Sequence, residues 1–129
     1  MELSNLNNPD SDVREASLDE ICSSIESGAL SAESIADTLL PKCLELASNQ
    51  LGATDSDSVF GRSFSLIVLA TIIEQDRQQK LLTEAQFAQI HEFCLHYMAH
   101  EKDFRGYLGA KKGWAHSVAH LSDLLVVYA

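Results

Sequence analysis

Basic residues are scarce in this chain. Nine Lys and Arg stand against 19 Asp and Glu, leaving a formal charge of −10. Phosphate contacts need clustered Lys and Arg, so nucleic acid and anionic membranes are disfavoured as partners. The one adjacent basic pair is Lys111-Lys112. Cysteines are few as well: Cys22, Cys43 and Cys94 are odd in number, far apart, and set among helix-patterned apolar residues. That argues against a disulfide frame or a zinc-finger spacing and reads as reduced core thiols. No apolar run approaches the ~18–20 residues a membrane span needs; the longest candidate, residues 64–73, is shorter and follows Arg62. The first residues, Met1-Glu2-Leu3-Ser4-Asn5, lack the basic and apolar regions of a secretory signal. The expectation is a cytoplasmic location.

Strand signals are equally thin. No segment alternates apolar and polar residues for long, and neither proline sits in a hairpin context. What remains is helical. With 46% hydrophobic and 22% charged residues, the composition is that of an ordinary globular domain, and 129 residues suffice for one core. Five helices are predicted. The first runs from about Asp10 to Ser27, with Asp10 or Ser11 as cap and Gly28 as stop. The second runs from about Ser31 to Asn49, where Pro41 should kink or split it. The third runs from about Asp57 to Arg77. The fourth opens on the capping box Thr83-Glu84-Ala85-Gln86 and continues to about His100. A glycine-rich loop follows, and the fifth helix is expected to begin at Gly113-Trp114.

The helices repeat. Arg14-x-x-Ser17-Leu18-x-x-Ile21-x-x-x-Ile25 matches Arg62-x-x-Ser65-Leu66-x-x-Leu69-x-x-x-Ile73 at an offset of 48 residues, and Trp114-x-x-Ser117-Val118-x-x-Leu121-x-x-x-Leu125 matches again 52 residues on. The period is close to the ~40–47 residues of HEAT and armadillo repeats. The expected fold is therefore all-α: a short right-handed stack of helical hairpins, one domain over residues 1–129, with repeats near 6–50 and 51–100 and an incomplete third copy over 101–129. The third helix carries apolar residues nearly all round (Phe60, Phe64, Leu66, Ile67, Val68, Leu69, Ile72, Ile73), as befits the middle of a stack. Arg14 and Arg62 are expected to make contacts between repeats. A terminal repeat needs a polar cap, yet the chain ends Leu124-Leu125-Val126-Val127-Tyr128-Ala129. That end is expected to continue into a longer protein, or to be covered by a partner or a second copy.

Wound at about 100° per residue, the fifth helix has two faces. Trp114, Val118, Leu121 and Leu125 form an apolar face, with Trp114 as core anchor. His116, His120 and Asp123 fall on the opposite side within about 60° of one another. With the loop residues Asp103 and Arg105, they make the candidate site. At Asp103-x-Arg105-Gly106-Tyr107 and Gly113-Trp114-Ala115-His116-Ser117-Val118-Ala119-His120-Leu121-Ser122-Asp123 the chain resembles a bacterial family known as domain of unknown function 2785. The resemblance implies an all-helical, HEAT-like domain, with Asp103, Arg105, Gly106, Trp114, His116, His120 and Asp123 as the matching signature, and it brings no activity with it.

Three readings of the patch stand side by side. In the first, the imidazoles bond carbonyls of the Arg105 loop and Asp123 pairs with Arg105, which pins the loop. In the second, Asp103, Arg105, Trp114, His116, His120 and Asp123 hold a protein partner, and the chain is an interaction module without catalysis of its own. In the third, His116 and His120, spaced i and i+4, bind a divalent metal such as zinc in a metal-binding protein or hydrolase. Against the third, Ser117 and not glutamate follows His116, and Asp123 lies ~10.5 Å along the helix axis from His116, too far for one ion. No cofactor is expected. Arg105 beside Gly106 suits either an anion site or a local carboxylate. Self-association through the apolar last helix remains a further option.

Overall fold

The computed structural model describes residues 2–128. Among them are five helices and no β-strand. A 3-10 turn, Leu3–Asn7, leads into α1 (Ser11–Glu26); a π-helical stretch, Ser34–Leu39, runs without a break into α2 (Leu40–Ala47); then come α3 (Ser58–Gln78), α4 (Glu84–His100) and α5 (Ser117–Tyr128). The caps lie where the sequence puts them. The Asp10 side chain accepts from the Asp12 amide at 2.9 Å. Gly28, at φ +80°, ends α1, and the Leu30 amide reaches back to the Ser24 carbonyl, the left-handed stop that glycine permits. Thr83 and Gln86 form the reciprocal capping box.

Pro41 neither splits nor stops the second helix. It sits in the first turn of α2, and the turn before it is widened to π geometry, with the Leu40 amide bonded to the Ile35 carbonyl. Inside a continuous helical run proline removes a backbone donor, and the π turn directly before it is where the hydrogen-bond pattern adjusts.

Helix α3 is the axis of the fold. It packs on α1, α2, α5 and the N-terminal turn, and Val59, Phe60, Leu66, Val68, Leu69 and Ile72 are fully buried. Contrary to the short run suggested by sequence, α3 is long and apolar enough to cross a bilayer; 72% of its most apolar stretch is buried inside the protein. Its apolar surface is consumed by neighbours. The thiols of Cys43 and Cys94 are buried and that of Cys22 half-buried, and all three are free.

Two arginines are buried completely, Arg14 on α1 and Arg62 on α3. Each collects carbonyls of the turn before its own helix. Arg14 donates to Asn8 and Pro9; Arg62 donates to Asn49 and Gln50 at 3.1 Å each. Each also reaches forward in the chain. Arg14 donates to the Lys112 carbonyl and lies on the rings of Phe60 and Phe64, 4.0 and 4.6 Å from their centroids. Arg62 grips the Glu101 carboxylate with both Nε and Nη2, at 2.8 and 3.0 Å.

An arginine with no exposed surface must be paired or pay a heavy desolvation cost. Replacing Glu101 with Ala strands that charge, and the expected loss is about 3–5 kcal/mol of unfolding free energy. Urea denaturation checks it: the double variant Arg62→Met with Glu101→Leu should lose much less than Glu101→Ala, because it removes both charges.

Candidate functional site

The candidate residues are placed by the chain between α4 and α5. Glu101 follows α4 directly, and its Oε1 accepts the amides of Lys102 and Asp103 at 3.1 Å each, turning the chain. Burial opposes its charge, but the bonds from Arg62 and the Asp103 amide outweigh burial and hold its carboxyl below the usual range. Asp103 is buried too. Arg105 grips it with Nε at 2.8 Å and Nη2 at 2.6 Å, and these bonds, against burial, hold the Asp103 carboxyl low. The same Nη2 donates to the Ser56 carbonyl at 3.0 Å. Arg105 therefore pairs with the local carboxylate and not with Asp123, which is exposed on α5.

Residues 105–116 fold back as a short hairpin closed by one antiparallel bridge, Tyr107 to Trp114. The Ala115 amide donates to Gly106 at 2.9 Å, His116 to Arg105 at 3.2 Å, and Leu108 to Gly113 at 2.8 Å. Gly113 and His116 adopt left-handed φ of +72° and +49°, a region open to glycine and strained for histidine. This overturns the expected start of the fifth helix. It begins at Ser117, so Trp114 and His116 precede it; the His120 amide still donates to the His116 carbonyl at 3.0 Å, but with His116 in the left-handed region the two rings do not share one helical stripe. The loop is pinned by backbone bonds and by the side chains of Arg14, Ser63 and Arg105 instead of by imidazoles.

The faces of α5 differ from expectation as well. Trp114 is 51% exposed and Val118 55% exposed, so neither anchors the core; Ala115, Ser117 and Leu124 are buried instead. The Ser117 hydroxyl donates to the Asp103 carbonyl at 2.7 Å. His120 turns inward, its Nδ1 2.7 Å from the hydroxyl of Ser63, a buried α3 residue that sequence spacing did not single out. The apolar chain end is partly used: Leu124 is buried and Tyr128 stacks on Phe87 with ring centroids 4.7 Å apart. His96 and His100 lie together on the exposed face of α4, ring centroids 4.1 Å apart.

A cleft of about 360 Å³ opens beside the hairpin, lined by Glu15, Leu18, Phe64, Ile67, Trp114, His116 and His120. Trp114 stacks on His116 with centroids 4.4 Å apart and planes 18° from parallel, and Tyr107 lies against its indole at 4.9 Å. His116 and His120 thus share a cleft although they share no helix face. Among the described residues no three His, Cys, Asp or Glu side chains gather around one point as a metal would need.

A family model described as protein of unknown function (DUF2785) matches residues 48–129, from the end of α2 through the hairpin and α5. The chain belongs to this family. No curated protein and no solved structure matches it. The matched span of this DUF2785 chain contains Arg62, Ser63, Glu101, Asp103, Arg105, Trp114, His116 and His120, the residues that build and line the hairpin; Glu15 and Leu18 come from outside it.

The His120 imidazole is held below its ordinary range, first by burial and then by His116 and Arg14, while Ser63 and Asp123 favour the cation. The unfolded chain therefore binds the proton more readily. Stability tied to the neutral ring is fully present above the unfolded value of ~6.5 and is lost as pH falls toward the folded value. Melting temperature is expected to fall from about pH 7.5 to about pH 5.5; in His120→Phe that slope should flatten, and an unchanged slope places the titrating group elsewhere.

Proposed function

We propose that the chain is a HEAT-like stack of helical hairpins that works as a protein-interaction module, and that the hairpin between α4 and α5 is its contact surface. The observation that carries this reading is the exposure of large aromatics on a backbone with little freedom. Phe104 is 65% exposed, Tyr107 55% and Trp114 51%. The backbone beneath them is tied by four hydrogen bonds between residues 105–108 and 113–116 and within the turn and by the Asp103–Arg105 pair. Exposed aromatics cost solubility unless something covers them, and Trp and Tyr are the residues that most often anchor a protein interface. A surface held rigid before binding loses less entropy when the partner arrives.

The stack reading is supported by the matched roles of Arg14 and Arg62, which occupy the same place in two copies of one pattern and fasten each helix to the turn before it. A reducing, cytoplasmic setting agrees with three unpaired thiols, of which Cys43 is pushed up to about 12 by burial and so is unreactive.

The test uses Trp114→Ala and Tyr107→Ala, both at exposed positions. Wild-type protein is expected to retain a specific partner in crosslinked pull-downs from its own cell extract. Both variants should lose that partner while unfolding free energy stays within about 0.5 kcal/mol of wild type, as surface substitutions usually do. Retention unaffected by either substitution defeats the reading, as does a large loss of stability, which would make the aromatics structural.

A further inference from the structure

The cleft behind the hairpin has a definite hydrogen-bonding polarity, and this follows from counting protons. The Ser63 hydroxyl has one hydrogen and two close neighbours: the Ala115 carbonyl at 2.5 Å and His120 Nδ1 at 2.7 Å. A carbonyl only accepts, so the hydroxyl hydrogen belongs to Ala115. The second contact then needs its hydrogen from the ring: Nδ1–H donates to Ser63. In the neutral imidazole the lone pair is therefore on Nε2. Ser63 has no exposed surface, so the Nδ1 edge of the ring faces the interior. His120 also lines the cleft, and the edge it has left to present there carries the Nε2 acceptor. A partner on one ring nitrogen fixing the role of the other is the usual way proteins set a histidine tautomer.

The other cleft groups point the same way. Glu15 contributes an exposed carboxylate and Trp114 a half-exposed indole, while Phe64 forms the buried floor beneath Arg14 and His120. A carboxylate and a ring acceptor beside an indole match a flat group that only donates, carries positive charge and stacks, which describes guanidinium better than ammonium. The chain as a whole carries ten more acidic than basic residues, which draws basic partners to it.

We propose that this cleft receives an arginine side chain of the partner protein, with Glu15 as counter-ion, His120 Nε2 as acceptor and Trp114 as wall. The proposal rests on the interaction reading and names its chemistry. The titratable and charged groups around His120 are Glu15 and Arg14 from α1, and His116 and Asp123 from the α5 side. Arg14 is engaged with the carbonyls of Asn8, Pro9 and Lys112 and with the rings of Phe60 and Phe64.

Protein labelled with ¹⁵N-histidine tests it in two steps. Long-range ¹H–¹⁵N correlation should find His120 protonated on Nδ1 with Nε2 bare; the opposite neutral tautomer overturns the proposal. Titration with N-acetyl-arginine amide should then shift the His120 ring and the Trp114 indole saturably, more tightly than N-acetyl-lysine amide, with N-acetyl-glutamine amide inert. In Glu15→Gln, a change at an exposed site, the arginine probe should bind roughly fivefold more weakly, the size expected of an exposed ion pair. No saturable shift, equal affinity for the lysine or glutamine probe, or an unchanged affinity in Glu15→Gln each overturns the arginine assignment. If the probe fails while Trp114-dependent partner retention persists, the contact surface stands and only its arginine chemistry falls; if the probe binds and no partner depends on Trp114, the reverse holds.

Discussion

A buried guanidinium sets the terms for the second half of this molecule. Arg62 lies inside the central helix with no exposed surface, where an unpaired charge is hardly tolerable. Its needs are met from two directions at once: Asn49 and Gln50 from the turn before α3, and Glu101 from the end of α4. Satisfying one side chain thus fixes where two remote stretches lie. The consequences continue outward. Glu101 turns the chain through the amides of Lys102 and Asp103; Asp103 holds Arg105; and the Asp103 carbonyl receives the Ser117 hydroxyl at the first turn of α5. The hairpin that carries the exposed aromatics hangs from this series of bonds. Charged groups held low in pKa by their partners, such as Glu101 and Asp103, tie it to the folded state at neutral pH.

Arg14 solves the same problem by other means. It has no carboxylate, only carbonyls and the faces of Phe60 and Phe64, and its Nε has no partner. Carbonyl oxygens and π faces each offer part of a charge, so several are required where one bidentate carboxylate suffices. The Lys112 carbonyl is one of them, and it belongs to the hairpin. Arg14 and Arg62 therefore hold the same loop from opposite ends, at residues 112 and 101. In the third copy of the pattern the matching residue is Trp114, with one donor where arginine has five, and there the helix does not extend back to the repeat position.

The legible parts of the fold were those decided locally. Asp10, Gly28 and the Thr83–Gln86 box act within a few residues of themselves, and the helix ends fall within a residue or two of where they point. Apolar residues all round α3 announced a central helix for the same reason. The start of α5 was not legible, because Gly113-Trp114-Ala115-His116 has helical spacing and no proline. What unwinds it is remote: the Ala115 and His116 amides find carbonyls at Gly106 and Arg105, and the Ala115 carbonyl finds Ser63. The face of α5 was misjudged on similar grounds. Counting apolar residues turns Val118 inward and His120 outward, yet Ser117 and His120 are inside because Asp103 and Ser63 satisfy them there. Polar residues with partners from another helix are invisible to a periodicity argument.

His116 and His120 therefore end as neighbours for a reason different from the one their spacing suggested. A shared helical stripe would have made them equivalent. Instead His116 sits in a strained left-handed conformation, stacked under Trp114, while His120 is sunk against Phe64 and Ser63. One ring shapes the aromatic surface and the other supplies a directed acceptor. Strain of this kind persists only where surrounding bonds over-determine the backbone, and here the hairpin ladder supplies them. The cleft is thus assembled before any ligand arrives, from α1, α3 and the hairpin together, so a group entering it meets walls and an acceptor that need no rearrangement to receive it.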